Sequence, residues 1–345
     1  MAFRAIAGLL GVLVFLPPAL AEPASDVIAF VSIRTGDARI YLSRGPGTDR
    51  VVTRGKGVHT QPALATDGRL AFTASVDGAP SIYLVNADGS AQRPLTRGER
   101  LETSPSWSPD GKSVAFFSRA KSGNDVDVRI VDVASGATVI VGGDGREKGP
   151  NPPVWSRDGR RLAFIGLDSR GRSEVWIVNR DGGGLREVSS NFEARGKADV
   201  SISPDGRQVV YVAGLRGPFH IVLTDVESSE TRNLTEGVNA MHESPRFSPD
   251  GQRIVFASTR DDEMLTRSDV FVMNGDGTGV RNLSRHPHED FNPHWSSDGR
   301  RVVFASLRSG TSQLLEVDLG SGQTRRLTNN TSHDMDHAPR PAAGG

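Results

Sequence analysis

The chain has 345 residues, of which 41 are basic, 41 acidic and none cysteine. This charge balance argues against a general nucleic-acid-binding protein, which needs a basic excess. The absence of cysteine excludes a disulfide framework, a cysteine nucleophile and lipid attachment through a thiol. The 39 glycines, together with little helical periodicity, favour an all-β fold.

The first predicted element is a secretory signal peptide over residues 1–21. Arg4 supplies positive charge, residues 5–16 form an apolar run, and Ala19-Leu20-Ala21 has the small-residue pattern of a cleavage site. An N-terminal anchor helix is the alternative, but the apolar run is short for a membrane span. We therefore expect a periplasmic or secreted protein, cleaved near Ala21, with no integral membrane segment after processing.

The next predicted elements are three strands at residues 26–32, 39–42 and 51–53. They match strands B, C and D of a four-stranded propeller blade, without a preceding strand A. Residues 333–341 resemble the start of a repeat and are predicted to supply that strand A. The segments 26–55 and 333–341 would then share one blade, which closes the ring and removes open sheet edges.

A short phrase recurs between these two ends of the chain. Its fullest form, Pro-Ser-Trp-Ser-Pro-Asp-Gly, occupies residues 105–111. The phrase or a variant of it closes, at intervals of 43 to 48 residues, on Gly68, Gly111, Gly159, Gly206, Gly251 and Gly299. A period of this length with strand-like segments between the repeats is typical of a β-propeller.

Each repeat is predicted to fold as four antiparallel strands, A to D. Pro and Gly shape the A–B turn, and Asn-x-Asp-Gly shapes several C–D turns. Six such blades are predicted, at residues 59–97, 102–142, 150–190, 197–236, 242–284 and 290–328. With the shared blade, the sequence predicts a seven-bladed all-β propeller in a single domain over residues 22–345. Four aromatic residues before the turns are expected to be buried between blades: Trp107, Trp155, Phe247 and Trp295.

The Trp-Ser-Pro-Asp-Gly and Asn-x-Asp-Gly repeats resemble the TolB-type PD40 repeat, a WD40-like propeller repeat, over about residues 26–341. The resemblance implies an exported TolB-like propeller whose partner is a periplasmic or envelope protein or peptide. TolB proteins bind a peptidoglycan-associated lipoprotein and Tol components. The sequence differs from TolB in its predicted blade count, seven rather than six, and such blades occur in proteins with many functions.

The two ends of the propeller differ in sequence character. One carries the tight A–B and C–D turns, and the other carries longer, charged D–A and B–C loops, where binding residues are expected. Nine residues before each turn glycine, the predicted mouth of the central channel has His59, Glu102, Pro150, Lys197, His242 and Asp290, with Asp336 as the equivalent in the shared blade. Arginines recur in the B–C loops, at Arg34, Arg119, Arg170, Arg216, Arg260 and Arg308.

These positions predict a partner-binding surface at the channel mouth. Its residues are Glu102, Lys197, His242, Glu243, Asp290, Asp336, Arg260 and Arg308. Two other interpretations stay open: the polar ring only solvates the rim, or the arginines form ion pairs with neighbouring blades.

Seven of the eight histidines fall in D–A loops or A strands. Imidazoles and carboxylates of neighbouring blades can hold a divalent transition metal, and the candidate ligands are His242, His286, His288 and His337. The alternative is that the protein binds no metal, and the sequence suggests no other cofactor.

Three functions are compatible with this pattern. The first is a monomeric, non-catalytic protein- or peptide-binding module. The second is a metal-dependent propeller enzyme, such as a lyase acting on acidic oligosaccharides, whose uronate carboxylates the arginines would bind. The third is a passive scaffold. The sequence has no Gly-x-Ser-x-Gly elbow and no zincin spacing of histidines, which favours the binding module over an enzyme.

Overall fold

The computed structural model describes residues 27–76, 78–122, 126–142, 152–189, 192, 194, 196–214 and 218–341. Within these ranges all helix or strand assignments are β-strand, and the strands form seven four-stranded antiparallel sheets, the blades of a propeller. The predicted signal peptide, Pro150 and Arg216 lie outside the described residues. In the part of the chain described, no helix is long and apolar enough to cross a membrane.

The strands of the first three blades follow the repeat. Blade 1 begins with β1 (Ile28–Ser32), β2 (Arg39–Ser43) and β3 (Arg50–Val51); blade 2 has β4 (Val58–Leu64), β5 (Leu70–Val76), β6 (Ala79–Val85) and β7 (Arg93–Pro94); blade 3 has β8 (Leu101–Trp107), β9 (Ser113–Arg119), β10 (Val126–Asp132) and β11 (Thr138–Gly142).

The remaining strands complete blades 4 to 7 and then return to blade 1. Blade 4 has β12 (Val154–Trp155), β13 (Arg161–Leu167), β14 (Ser173–Asn179) and β15 (Arg186–Glu187); blade 5 has β16 (Gly196–Ile202), β17 (Gln208–Gly214), β18 (Phe219–Asp225) and β19 (Thr231–Asn233); blade 6 has β20 (His242–Phe247), β21 (Arg253–Ser258), β22 (Asp269–Asn274) and β23 (Arg281–Asn282); blade 7 has β24 (Asp290–Trp295), β25 (Arg301–Ser306), β26 (Gln313–Asp318) and β27 (Thr324–Arg326); and β28 (Asp334–Pro339) belongs to blade 1.

The shared blade predicted from the sequence is confirmed. Strand β28 pairs antiparallel with β1, so that the sheet order in blade 1 is β28-β1-β2-β3. Ala338 lies opposite Ala29, and Asp334 lies opposite Ser32. An apolar cluster that includes Phe30 and Val303 packs blade 1 against blade 7. The ring is therefore closed both by strand pairing and by side-chain packing.

The core consists of apolar layers between neighbouring blades. Each blade places one large aromatic side chain in its B strand, and each of these is at most 1% exposed: Phe30, Phe72, Phe116, Phe164, Tyr211, Phe256 and Phe304. Burying a Phe side chain contributes about 1.5–3 kcal/mol. Since no disulfide supports the fold, these layers are its main source of stability.

The polar groups of the Ser-Pro-Asp-Gly motif form hydrogen bonds within their own turn. In blade 3 the Ser108 hydroxyl donates to the Asp110 carboxylate over 2.6 Å, and the Gly111 amide donates to the Ser108 carbonyl over 2.9 Å. Gly111 has φ +65°, which favours glycine. At Gly251 a Cβ atom would also lie 3.1 Å from Pro204 of the preceding blade, so this turn packs tightly against its neighbour.

Candidate central-channel site

The A strands surround the central channel, since each is the innermost strand of its blade and consecutive A strands contact one another. The prediction that Trp107, Trp155, Phe247 and Trp295 are buried between blades is confirmed, because each is 7–9% exposed. Three indole N–H groups donate across the blade boundary to a carbonyl of a neighbouring A strand: Trp107 to Ala63, Trp155 to Ser106, and Trp295 to Arg246, over 3.0–3.2 Å.

The polar ring predicted at an accessible channel mouth is buried instead. His59, Glu102, Lys197, His242 and Asp290 are between 0% and 6% exposed. Each pairs with a residue of its own B strand; Asp290, for example, lies opposite Ser306. Four residues predicted to contact a partner (Glu102, Lys197, His242 and Asp290) are thus internal.

The equivalent residue in the shared blade is also different from the one predicted. Asp334 lies opposite Ser32 as Asp290 lies opposite Ser306. Asp336 falls two residues later, at a backbone bulge, and is exposed. The prediction counted back from a turn glycine, which the shared blade lacks, and so the offset was two residues.

Ion pairs account for two of the six predicted arginines. Arg308 lies 2.8 Å from the Asp290 carboxylate, and Arg34 lies 3.0 Å from Asp334 and 2.8 Å from Asp49. Arg260 stacks over the Phe271 ring, 5.7 Å from its centre. Arg34 and Arg308 thus form ion pairs within their own blades, and not with neighbouring blades as the alternative supposed. Arg119 and Arg170 are exposed.

Burial governs the ionisation of this ring. Desolvation raises the pKa of the Asp290 and Glu102 carboxyls, and it lowers the pKa of the His59 and His242 imidazoles to about 4. Both ring nitrogens of His242 are buried and accept or donate no hydrogen bond within the described residues. These two histidines are consequently neutral at pH 7.

Of the predicted binding residues, Glu243 and Asp336 are exposed, and Arg260 and Arg308 are half-buried. Desolvation raises the pKa of both carboxyls, assisted at Glu243 by the nearby Asp199 and Glu289. Both residues belong to A strands, β20 and β28. They are the part of the predicted surface that remains accessible.

The candidate metal ligands are not brought together. Within the ranges that the structure describes, no three His, Asp or Glu side chains form a group that could hold a metal ion. The His286 and His288 rings lie 5.3 Å apart, His337 contacts His294 at 4.9 Å, and His242 packs on Phe256 at 5.9 Å. The predicted set of His242, His286, His288 and His337 is therefore not a metal site in this structure.

A bulge in six of the seven A strands places a second set of polar residues around the channel. These residues have positive φ although none is glycine: Gln61, Ser104, Asp199, Ser244, Asn292 and Asp336. Their side chains bridge blades, because Gln61 accepts from the Ser104 amide over 3.0 Å and Asp199 accepts from the Ser244 amide over 3.0 Å. The bulges thus connect neighbouring A strands, which is a structural role.

Two residues beyond the bulge, a third set of residues contributes to the lining of the channel. Its members are Ala63, Ser106, Val154, Ser201, Arg246, His294 and Ala338. All of them except Ser201 line the cavities of the channel. Five of these side chains are small or medium-sized, and only blades 6 and 7 contribute large polar ones. The channel is therefore roomy on one side and carries Arg246 and His294 on the other.

Two adjoining cavities of about 330 and 340 Å³ occupy this channel. Both are lined by Trp107, Arg246, His294 and Ala338, so the two cavities adjoin. One extends toward Asp336 and Asn292. The other reaches the prolines of the A–B turns: Pro109, Pro204 and Pro249. Each cavity has the size of a small-ligand site, although the tight-turn end was expected to offer little for binding.

The electrostatics of the channel centre are set by desolvation. Burial lowers the pKa of Arg246, and the Asp199 carboxylate opposes this change. Burial also lowers the pKa of His337 to about 4 and that of His294 well below its ordinary value, with Arg246 adding to both effects. The channel centre therefore holds one guanidinium beside two neutral imidazoles.

The sequence repeat contains a signal that identifies these lining residues. They occupy the variable position of the Pro-x-Trp phrase, which is Ser106 in blade 3, Arg246 in blade 6 and His294 in blade 7. An arginine and a histidine at a position that is otherwise alanine, serine or valine are the exceptions worth noticing.

Comparison with known proteins agrees with this architecture. A peptidase of Bacillus subtilis, YuxL, is 31% identical over 62% of this chain and 32% of its own length. A TolB homolog of Chlorobium luteolum is 35% identical over 36% of this chain and 28% of its own length. The chain thus spans about a third of the length of these curated relatives.

Solved structures share the fold. TolB from Acinetobacter baumannii aligns with a TM-score of 0.58 and 16% identity, over 92% of this chain and 67% of that chain. An oligogalacturonate lyase from Vibrio parahaemolyticus aligns with a TM-score of 0.65 and 17% identity, over 85% and 86%. The profile of the TolB beta propeller domain, PD40, matches residues 12–151 and 236–342. The chain belongs to the TolB β-propeller family.

Proposed function

We propose that this protein is an exported, non-catalytic binding module that takes a peptide segment of an envelope protein into its central channel. The observation that carries the proposal is the adjoining pair of cavities between Asp336 and the A–B turn prolines. Export rests on the predicted signal peptide, and the class of partner rests on the TolB relatives.

The lining of the channel suits a peptide. Indole and proline surfaces offer apolar contact area, and Asn292, Asp336, His294 and Arg246 offer hydrogen-bonding groups along the same wall. Such a mixture of large aromatic surfaces and a few polar groups is common at binding sites. Because the bulges tie neighbouring A strands together, the channel is preformed, which lowers the entropic cost of binding.

The lyase alternative loses one of its three supports. It rested on the seven-blade count, the histidine cluster and the arginines; the seven blades are present, but no three His, Asp or Glu side chains of the described residues form a metal-binding group. The structural likeness to an oligogalacturonate lyase is at 17% identity and is a likeness of fold.

Photo-crosslinking from inside the channel tests the proposal. A photoreactive phenylalanine analogue replaces Ser106 or Ala338, which line the cavities, or Val139, which is 50% exposed on edge strand β11. In envelope extract we expect one and the same adduct from both channel positions and none from Val139. An adduct only from Val139, or none from the channel positions, would contradict channel binding.

A variant with a blocked channel provides a second test of channel binding. Ser106→Trp places an indole in the lumen and should abolish capture of the crosslinked partner, whereas Val139→Trp should not. Circular dichroism and thermal melts establish that both variants are folded. Equal capture by the blocked variant would place the partner on the outside of the propeller.

A further inference from the structure

Arg246 has no ionic partner among the described residues, unlike Arg34 and Arg308. Its guanidinium makes one hydrogen bond in the described structure, from Nη1 to the Pro245 carbonyl at 3.2 Å. No carboxylate of the described residues lies within ion-pair distance of it. By contrast, Arg34 and Arg308 each pair with a carboxylate at 3.0 Å or less. Most of the five N–H donors of Arg246 are thus available.

No ionic partner neutralises this cation. Arg246 is half-buried and lines both cavities, so burial only partly disfavours its charged form, and the imidazoles of His294 and His337 that act on it are neutral. The Asp199 carboxylate acts on it only at a distance and is engaged by the Ser244 amide. A guanidinium that faces a cavity and has no carboxylate partner can bind an anion that enters it.

The geometry leaves room for a ligand in front of the guanidinium. Facing positions of the lining carry Ala63, Ser106 and Ala338, and the cavities that Arg246 lines continue past these small side chains. The planar fork of Arg matches the two oxygens of a carboxylate and binds them through two parallel hydrogen bonds. A monoanion is favoured over a dianion because two carboxyl groups are close by: Glu243 lies in the same A strand as Arg246, and Asp336 lines one of the cavities that Arg246 lines.

We propose that Arg246 is a carboxylate-binding site at the centre of the channel, which holds an acidic group of the inserted peptide. The carboxylate belongs to an Asp or Glu side chain or to a peptide C-terminus. The inference rests on the proposed channel binding and adds the chemical class of the group recognised.

The direct test uses acetate alone and does not depend on any peptide. Arginine Nε–Hε resonances of the full protein are followed by NMR during titration with sodium acetate, against sodium chloride at equal ionic strength. We expect one saturable shift that is missing from the spectrum of Arg246→Gln. If no arginine signal responds specifically to acetate, or if the response persists in Arg246→Gln, there is no such site.

Peptide pools then connect the site to channel binding. Four octapeptide pools combine the presence or absence of Glu with a free or amidated C-terminus, and their affinities are measured by fluorescence anisotropy. We expect at least one carboxylate-bearing pool to bind wild-type protein about ten-fold more tightly than the neutral amidated pool, a factor that corresponds to one charge-assisted interaction. The pool that shows the preference identifies the source of the carboxylate.

Two variants test whether Arg246 causes the preference for carboxylate-bearing peptides. Arg246→Gln should remove it, and Arg246→Lys, which keeps the charge but not the fork, should retain only part of it. Arg129→Gln is the matched control, because Arg129 pairs with Asp127 at 2.9 Å in β10, away from the channel. A preference that survives in Arg246→Gln would overturn the proposal, and so would tight binding of the neutral amidated pool.

Stability separates a ligand-binding role from a structural one. Because Arg246 has no ionic partner, Arg246→Gln should melt at the wild-type temperature or above it. A large fall in melting temperature would show that Arg246 holds the fold together. Acetate binding without any pool binding would retain the anion site and reject peptide insertion, so that the two proposals fail separately.

Discussion

Individual buried histidines make the stability of this protein depend on pH. In the unfolded chain an imidazole takes up a proton near pH 6.5, whereas burial lowers the pKa of His242 to about 4. Between these values the unfolded state binds more protons than the folded state. Stability is therefore complete above about pH 6.5 and decreases as the pH falls toward 4.

Replacing His242 should reduce this dependence. For His242→Leu we expect the loss of stability between pH 7.5 and pH 5 to be smaller by about 2 kcal/mol, the value for one group that shifts from 6.5 to about 4. Urea unfolding at the two pH values measures it. His288→Gln, at an exposed imidazole, is the control, and an unchanged slope in His242→Leu would show that His242 is protonated in the folded state.

At the scale of single elements, the sequence predicted strands better than it predicted side-chain direction. The turn phrase located the B strands because proline, aspartate and glycine determine that turn locally. In contrast, the bulges at Gln61, Ser104 and their equivalents depend on contacts with a neighbouring blade. Nothing local in the sequence marks them, and they decide which A-strand residues lie along the channel.

The same dependence on contacts that are distant in sequence limited the prediction of the polar ring. His59, Glu102, Lys197, His242 and Asp290 were recognised as equivalent, which the strand register supports. Their burial was not foreseen, because the partners of Asp290 and Lys197, which are Arg308 and Glu174, lie 18 and 23 residues away along the chain. Arg246, in turn, has no partner that a pattern of charges could reveal.

The contact between Lys197 and Glu174 joins two neighbouring elements, β16 of blade 5 and β14 of blade 4. Both side chains are 1% exposed, and the Ser189 hydroxyl donates to the same Glu174 oxygen over 2.6 Å. Lys197→Met leaves that buried carboxylate with only the Ser189 hydroxyl and the more distant Arg172 guanidinium, at 3.9 Å, so we expect a loss of about 3–5 kcal/mol in the free energy of unfolding.

The double variant is the informative comparison. Lys197→Met combined with Glu174→Met removes both charges and should recover much of that loss, because no buried charge remains without a partner. Urea unfolding of the two single variants and the double variant forms the cycle. If the double variant is no more stable than Lys197→Met, the carboxylate left without Lys197 is not the cause.

For the whole molecule, ring closure is the property on which all seven blades depend. Blade 1 takes β28 from one part of the chain and β1 to β3 from another, so its contacts connect residues some 300 positions apart. Without β28, β1 would present an unpaired edge, and the apolar layer between blades 7 and 1 would lose part of its cover.

Removing residues 333–345 should therefore open the ring. We expect a markedly lower melting temperature and a greater tendency to aggregate, measured by calorimetry and light scattering. The matched control removes only residues 342–345 and leaves β28 in place. A melting temperature equal to that of the control would mean that β28 does not close the propeller.

The arrangement of the indoles has a practical consequence for optical work. Three of the four tryptophans, Trp107, Trp155 and Trp295, line the cavity at the turn end of the channel, while Trp176 lies in β14. Arginine side chains stack on all three, at 4.8 Å for Arg69 on Trp107. The intrinsic emission of the protein thus originates mostly from one place, and a change in its wavelength would report occupancy of the lumen without any attached dye.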